Sequence, residues 1–183
     1  CRFWQIWILI MNIDWGFISE LEGKGKTVGY HPSDNSGVTI ATGFDLKEKD
    51  EDFLLSIGIP GDLTEKLKPY CHLTGSEAAA VASNLELSDQ EVEVIDLCSK
   101  KFYAARVERQ YNSRNPKTEF TDLNSKQQTI LCSVGFQYGS FSKTPSFIKH
   151  AVNDDWDSVI QELKNFGDAF PTRRNKEADY LCK

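Results

Sequence analysis

The spacing of apolar residues predicts a short helix near the N-terminus. From Asn12 onward, apolar residues recur at the intervals of an amphipathic helix, through Ile13, Phe17 and Leu21. Glycines directly after this run stop the pattern. We therefore expect one helix of about three turns that ends close to Glu22.

In the stretch 27–46, the helical period is replaced by short β-favouring runs and turn residues. The runs T-V-G-Y and G-V-T-I-A-T lie on either side of D-N-S-G, which is a turn signal. The pattern predicts a small antiparallel hairpin or a three-stranded sheet.

The remaining chain has a helical pattern. Capping boxes, in which a Ser or Thr precedes a Glu by three residues, begin at Thr74 and at Ser88 and predict two helix starts. Further helices are expected over residues 125–138, between 154 and 167, and over 172–181. We interpret the acidic run 48–52 as the exposed start of another helix.

The order of these elements predicts an α+β fold. It has an N-terminal helix, a small antiparallel β lobe and then a mainly helical lobe. A cleft between the two lobes is the expected place for a ligand. The aromatic residues Phe102, Tyr103 and Trp156 are interpreted as core residues of the helical part.

Composition and charge narrow the classes of protein to which the chain can belong. Its 183 residues suit one domain, and 40% hydrophobic with 26% charged residues argues against disorder and fibres. The 21 basic and 27 acidic residues give a formal net charge of -6. No general positive field therefore attracts phosphate backbones, so we expect no nucleic-acid partner.

The cysteines predict neither a metal cluster nor a complete disulfide set. There are five, with no C-x-x-C pair: Cys1, Cys71, Cys98, Cys132 and Cys182. We expect no metal site and interpret most of them as small buried residues, while up to two disulfides stay open.

Residues 3–13 form the most apolar run of the chain. The run is shorter than the roughly 20 residues that cross a bilayer, so we expect no stable membrane insertion. It also lacks the basic region and cleavage site of a complete signal peptide. Residues 1–11 are therefore treated as an extension of unknown role: a packed terminal segment, a remnant of upstream sequence, or a result of how the fragment was cut. Met11 is a candidate natural start.

The clearest candidate for acid catalysis is Glu22, at the end of the first predicted helix. Backbone carbonyls at that end carry partial negative charge, which disfavours an ionised carboxylate beside them. A carboxyl group that is also partly desolvated suits a general acid. The alternative is an ordinary solvated glutamate at a helix end.

Two aspartates and a threonine in the predicted sheet could complete a catalytic site. Glycoside hydrolysis requires two carboxyl groups on either side of a bond, and Asp34 or Asp45 could face Glu22. Thr39 supplies a hydroxyl that could orient a water, on the strand face opposite its apolar neighbours.

Each of these three residues also has a structural interpretation. Asp34 lies in P-S-D-N-S-G, where aspartate is ordinary turn chemistry. Asp45 could be the N-cap of a helix that begins near Lys47. Thr39 could be a plain strand threonine on a polar face.

Several motifs resemble a known family. The motifs F-I-S-E-L-E-G and G-Y-H-P-S-D-N-S-G-V-T-I-A-T-G-F-D-L, both within 12–46, resemble the phage-lysozyme-like muramidase domain of the pesticin type. Q-Q-T-I-L-C-S-V-G-F-Q-Y-G is similar to the central helix of that family, and D-W-D-S-V-I-Q-E-L and R-R-N-K-E-A complete the likeness. The resemblance covers nearly all of residues 12–182, and it makes 12–183 the expected lysozyme-like muramidase domain.

The resemblance implies a hydrolase that cleaves the β-1,4 bond between N-acetylmuramic acid and N-acetylglucosamine, without metal or cofactor. It places the general acid at Glu22, the water-positioning hydroxyl at Thr39 and the second carboxylate at Asp45. Phage lysozymes carry the aspartate before the threonine, which keeps Asp34 as the alternative. Ala41 departs from the family, which usually has glycine there.

The resemblance also implies a setting for this activity. The partner is the glycan strands of peptidoglycan, with a cognate immunity protein as a further candidate, and we expect a monomer. The enzyme would be a bacteriolytic toxin or effector that is secreted or delivered to the periplasm or cell wall of a target bacterium. A lytic transglycosylase and a catalytically silent peptidoglycan-binding module are the alternative functions.

Overall fold

The first helix is shorter than the apolar spacing predicts. The computed structural model describes residues 11–23 and 25–182 of the chain, and helix α1 is Trp15–Glu22. The carboxylate of Asp14 accepts a hydrogen bond from Phe17 N at 2.9 Å. Because this bond caps the helix, the predicted start at Asn12 is wrong, while the predicted end at Glu22 is confirmed. Gly23 follows with φ 84°, a left-handed conformation that ends the helix.

A three-stranded antiparallel sheet follows, as the β-favouring runs predict. It consists of β1 (Lys26–Tyr30), β2 (Thr39–Ala41) and β3 (Phe44–Asp45), in the order β1-β2-β3. The register pairs Lys26 with Ala41 across β1 and β2, and Ile40 with Phe44 across β2 and β3. Ile40 is fully buried and Phe44 is 5% exposed, so these two side chains mark the core face of the sheet.

The rest of the described chain is helical, and this confirms the α+β class. The helices are α2 (Glu51–Ser56), α3 (Gly61–Leu67), α4 (Gly75–Val81), α5 (Asp89–Asn112), α6 (Ser125–Tyr138), α7 (Pro145–Val152), α8 (Trp156–Lys164) and α9 (Pro171–Cys182). The helices expected over 125–138, 154–167 and 172–181 are confirmed as α6, α8 and α9.

Only one of the two predicted capping boxes forms. Before α5, Glu91 N donates to Ser88 Oγ at 3.1 Å and Ser88 N donates to Glu91 Oε2 at 2.7 Å, which confirms the box. Thr74 precedes α4 as predicted, but its side chain makes no capping hydrogen bond. The position of the helix start is thus correct and the predicted bond is wrong.

Helix α2 corrects the interpretation of Asp45 as an N-cap. Its N-cap is Asp50, whose carboxylate accepts a hydrogen bond from Phe53 N at 2.7 Å. The helix therefore begins at Glu51, within the acidic run 48–52, and not near Lys47. Asp45 lies in strand β3 instead.

The described residues divide into two compact units, one within 22–102 and the other within 1–21 and 103–183. Each unit has its own apolar core. The core of the 22–102 unit includes Val38, Ile40, Leu46, Leu54, Leu67 and Ile95. The core of the other unit includes Ile18, Tyr111, Phe120, Ile130, Phe147 and Leu163, and Trp156 packs against it as predicted.

A buried charged network fixes helix α9 in the second of these units. Arg174 is 1% exposed and pairs with Glu177, which is fully buried. Arg174 Nε donates to Asp168 Oδ2 at 2.9 Å, and Ser133 Oγ of α6 donates to Glu177 Oε1 at 2.5 Å. Removal of one partner from such a network leaves an unpaired buried charge and typically costs about 3–5 kcal/mol.

The four described cysteines are free thiols with different exposure. Cys132 is buried, Cys71 and Cys98 are half-buried, and Cys182 is exposed. Of these four, only Cys132 is thus completely buried. Cys1 lies outside the described residues, and so does the part 3–10 of the apolar run. No helix among the described residues combines the length and apolar character needed to cross a bilayer.

Candidate functional site

Three side chains form a row across the sheet, one from each strand. Tyr30 of β1 is paired with Thr39 of β2, and Thr39 is paired with Asp45 of β3. Side chains directly opposite each other in antiparallel strands lie on the same face, with Cβ atoms about 4.5–5.5 Å apart. This cross-strand row is therefore on the face opposite Ile40 and Phe44, and the predicted face for Thr39 is confirmed.

Backbone N–H groups hold the carboxylate of Asp45 in one orientation. Gly37 N donates to Oδ1 at 3.1 Å and to Oδ2 at 3.2 Å, and Lys47 N donates to Oδ1 at 2.8 Å. Hydrogen bonds to an ionised acceptor are stronger than those between neutral groups. The arrangement needs glycine at 37, because a Cβ there would lie 2.7 Å from Asp45 Oδ1 and 2.8 Å from Lys47 N.

The same glycine contacts the hydroxyl of Thr39. Thr39 is 3% exposed, and its Oγ1 donates to Gly37 O at 3.5 Å, which is long for such a bond. His31 Nδ1 also lies 3.4 Å from Gly37 O, and the buried Nε2 of that ring has no hydrogen-bond partner among the described residues. Gly37 thus links the two sheet residues that the sequence singled out.

Tyr30 is a third member of the cross-strand row, and no sequence motif identifies it. Its side chain is half-buried, and Lys26 Nζ lies over its ring, 3.6 Å from the centroid. Burial and, as the smaller cause, the negative charge of Asp45 raise the pKa of Tyr30. The run T-V-G-Y predicts a strand, and its two-residue alternation is the signal that could place Tyr30 on this face.

A helix of the same unit holds the turn between β2 and β3. Thr42 N donates to Asp96 Oδ1 of α5 at 3.0 Å, and Thr42 Oγ1 donates to Asp96 Oδ2 at 2.6 Å. Gly25 permits this approach, because a Cβ there would lie 2.7 Å from Val92 Cγ1 and 3.2 Å from Asp96 Oδ2. Asp96 is 54 positions from Thr42 in the sequence, so no local pattern could identify the pair.

Ala41 has a strained backbone at the start of this turn. Its φ is 49°, in the left-handed region that favours glycine, and its side chain is 2% exposed. Left-handed backbone costs a residue with a Cβ about 1–2 kcal/mol. The methyl group therefore strains the turn through its backbone conformation.

The other two candidate carboxylates lie outside the cross-strand row. Glu22 is the last residue of α1, is half-buried and belongs to the same compact unit as Thr39 and Asp45. Asp34 is exposed in the turn between β1 and β2. The structure thus brings Thr39 and Asp45 together and leaves Asp34 at the surface.

No candidate metal centre accompanies this site in the part of the chain that the structure describes. No group of three or more His, Cys, Asp and Glu side chains there has the arrangement of metal ligands. The chemistry available at the site is that of an oriented carboxylate and a neighbouring hydroxyl.

A model of a known protein family matches most of the chain. The family model described as pesticin, a bacterial toxin homologue of phage lysozyme, C-terminal part, matches residues 12–157. This range covers well over half of the chain and includes Glu22, Thr39 and Asp45. No curated protein sequence matches the chain.

Proposed function

The chain belongs to the pesticin family of bacterial toxin domains homologous to phage lysozyme, and from this premise we propose that it is an N-acetylmuramidase. It hydrolyses the β-1,4 bond between N-acetylmuramic acid and N-acetylglucosamine in peptidoglycan. The observation that supports the proposal most directly is the pairing of Thr39 with Asp45 across two strands, with the carboxylate fixed by backbone N–H groups.

We assign one role to each of three residues. Glu22 donates its proton to the leaving glycosidic oxygen as the bond to the anomeric carbon breaks. Thr39 orients a water that attacks this carbon, and Asp45 accepts a proton from the water. The long bond from Thr39 to Gly37 O leaves its hydroxyl available to turn toward a water.

Asp45 is the better candidate for the second carboxylate. It lies directly opposite Thr39 and accepts hydrogen bonds from two backbone groups, whereas Asp34 is exposed in a turn. A catalytic carboxylate must be held close to its productive position, because a misplacement of about 1 Å can cost 10²-fold in rate. Of the two aspartates, Asp45 is the one whose carboxylate is held in position by backbone hydrogen bonds.

A lysis assay tests the proposal and the assignments together. We expect Glu22→Gln and Asp45→Asn to lower the rate of lysis of purified sacculi by about 10²–10⁴-fold, and Asp34→Asn to leave it unchanged. Thermal unfolding of each variant controls for loss of structure, since each change keeps the size of the side chain. Lysis by folded Glu22→Gln at the wild-type rate would contradict the proposal, and loss of activity in Asp34→Asn alone would exchange the roles of the aspartates.

The products distinguish this function from the two alternatives. Mass spectrometry of released fragments should find reducing N-acetylmuramic acid ends, as hydrolysis requires. A 1,6-anhydro end would instead identify a lytic transglycosylase. Binding to insoluble peptidoglycan without release of fragments would identify a silent binding module.

The setting follows from the substrate. We propose that residues 12–183 form the lysozyme-like domain and that it acts as a monomer outside the cytoplasm, in the periplasm or cell wall of a target bacterium. Peptidoglycan glycan strands are the partner, and a cognate immunity protein in the producing cell is a further one. A bacteriolytic toxin of this kind requires no cofactor in the reaction assigned above.

A further inference from the structure

Strand β1 carries a lysine that is held in place beside the cross-strand row. Along β1, Lys26 and Val28 are exposed, Tyr30 is half-buried and Gly29 is buried, so one face of the strand is open. Lys26 Nζ lies 3.6 Å from the centroid of the Tyr30 ring. This is a cation–π contact, in which the ring attracts the ammonium group and restricts its position.

The charge of Lys26 is available to a ligand. Within residues 11–23 and 25–182, Lys26 forms no ion pair with a carboxylate of the chain. Tyr30, which Lys26 covers, is paired directly with Thr39 and lies in one row with Asp45. A cation thus lies over the ring of the residue that is paired with Thr39.

The charge balance of the chain makes a local cation important for an anionic substrate. The formal net charge of the chain is -6. The substrate is also anionic, because the stem peptides of peptidoglycan end in carboxylate groups. Long-range electrostatics therefore oppose association, and attraction must come from contacts within about a Debye length of the bound sugar.

We propose that Lys26, supported by Tyr30, forms a subsite for a carboxylate of a peptidoglycan stem peptide, so that this site selects strands whose stem peptides carry free carboxylates over strands whose stem peptides are amidated. The proposal rests on the muramidase function. Lys26 supplies a positive charge with three N–H donors, and Tyr30 supplies the platform that keeps the charge beside Thr39 and Asp45. Lys26 is thus a specificity-determining residue and has no part in bond cleavage.

The experiment compares the activity of two enzymes, wild type and Lys26→Gln, on two substrates. Initial rates at low substrate, which report kcat/KM, are measured for wild type and Lys26→Gln on native sacculi and on sacculi whose carboxyl groups have been converted to neutral amides. We expect Lys26→Gln to be about fivefold slower than wild type on native sacculi and equal to it on amidated sacculi, as for one solvent-exposed ion pair. Lys26→Arg should keep the preference for native sacculi.

A second lysine provides a matched control. Lys49 Nζ also lies over an aromatic ring, 4.7 Å from the centroid of Phe53, in the same compact unit but outside the cross-strand row. Lys49→Gln removes the same charge and the same kind of contact, so it should retain the wild-type rates on both substrates. Tyr30→Leu should reproduce the loss of selectivity, whereas Tyr30→Phe, which keeps the ring, should not.

The outcomes separate this inference from the function on which it rests. A Lys26→Gln enzyme as active as wild type on native sacculi, or equally impaired on both substrates, would overturn the subsite while lysis by wild type sustained the muramidase function. An equal effect of Lys49→Gln would likewise overturn it, because the effect would then come from net charge. Absence of lysis by wild type overturns both.

Discussion

Replacement of Gly37 by alanine places a methyl group against the carboxylate of Asp45. The added Cβ would lie 2.7 Å from Asp45 Oδ1, 2.8 Å from Lys47 N and 2.8 Å from Lys47 Cβ. Lys47 N belongs to the backbone and Lys47 Cβ is the first carbon of its side chain. Neither atom can turn away as the flexible end of a side chain can. The segment around Gly37 or strand β3 must therefore shift.

The magnitude follows from the contacts that are crowded or lost. A methyl group forced into a packed site costs about 1–3 kcal/mol. If Asp45 moves away instead, the hydrogen bonds from Gly37 N to a charged acceptor are lost, at about 1.5–3 kcal/mol. We expect the free energy of unfolding to fall by about 2–3 kcal/mol, which leaves a typical domain folded. Because Asp45 shifts, lysis should fall by about 10²-fold in the folded protein.

Denaturant unfolding and lysis of sacculi, measured on the same preparation, test this prediction. The matched control is Gly61→Ala at the start of α3, where an added Cβ meets no atom within 4 Å. That variant should retain wild-type stability and activity. Wild-type values for both quantities in Gly37→Ala would refute the reasoning, and loss of stability with full activity would show that the position of Asp45 does not matter for catalysis.

Three further predictions concern other contacts. Asp96→Ala removes both hydrogen bonds to Thr42 and should lower the free energy of unfolding in urea by about 2 kcal/mol, whereas an unchanged midpoint would contradict this anchor. The hydrogen bond from Phe17 N and the one from Tyr180 lower the pKa of Asp14 from its ordinary value of 3.8, so its contribution to stability is complete above that pH and is lost as the pH falls through the lowered pKa. Asp14→Asn should therefore flatten the loss of stability below about pH 4 in urea titrations, and an unaltered pH profile would count against it. Burial raises the pKa of the Cys132 thiol, so mass spectrometry should find Cys132 unlabelled by a thiol reagent in the native protein and the exposed Cys182 labelled; fast native labelling of Cys132 would contradict the burial.

The elements that the sequence predicted well are those with strong local signals. Helix α6 has the predicted bounds because Asn124 and Gln127 cap its start and Gly139, with φ 69°, ends it. The sheet follows from β-favouring runs on either side of a turn. The sequence predicts no helix at α3 or α7, because segments of seven and eight residues are too short for an apolar period to be evident.

The residue types of the candidate site could be predicted from the sequence, but the contacts that hold these residues in place could not. Thr39 and Asp45 could be named from a motif, but their pairing depends on a register that only the folded sheet defines. Asp96 and the requirement for glycine at 37 come from contacts between separate segments. The apolar spacing predicts too early a start for α1, because it extends beyond Asp14, the residue that caps the helix.

The shortness of strands β2 and β3 has a consequence for how the site fluctuates. They span three and two residues, so few ladder bonds form between them. The N–H groups of Gly37, Thr42 and Lys47, which lie next to the strands, donate to carboxylates. Amide hydrogen exchange at these positions then reports on two carboxylates, Asp45 and Asp96. Local unfolding that releases Asp45 exposes the amides of Gly37 and Lys47 together, so the stability of the held orientation of Asp45 can be measured without any substrate present.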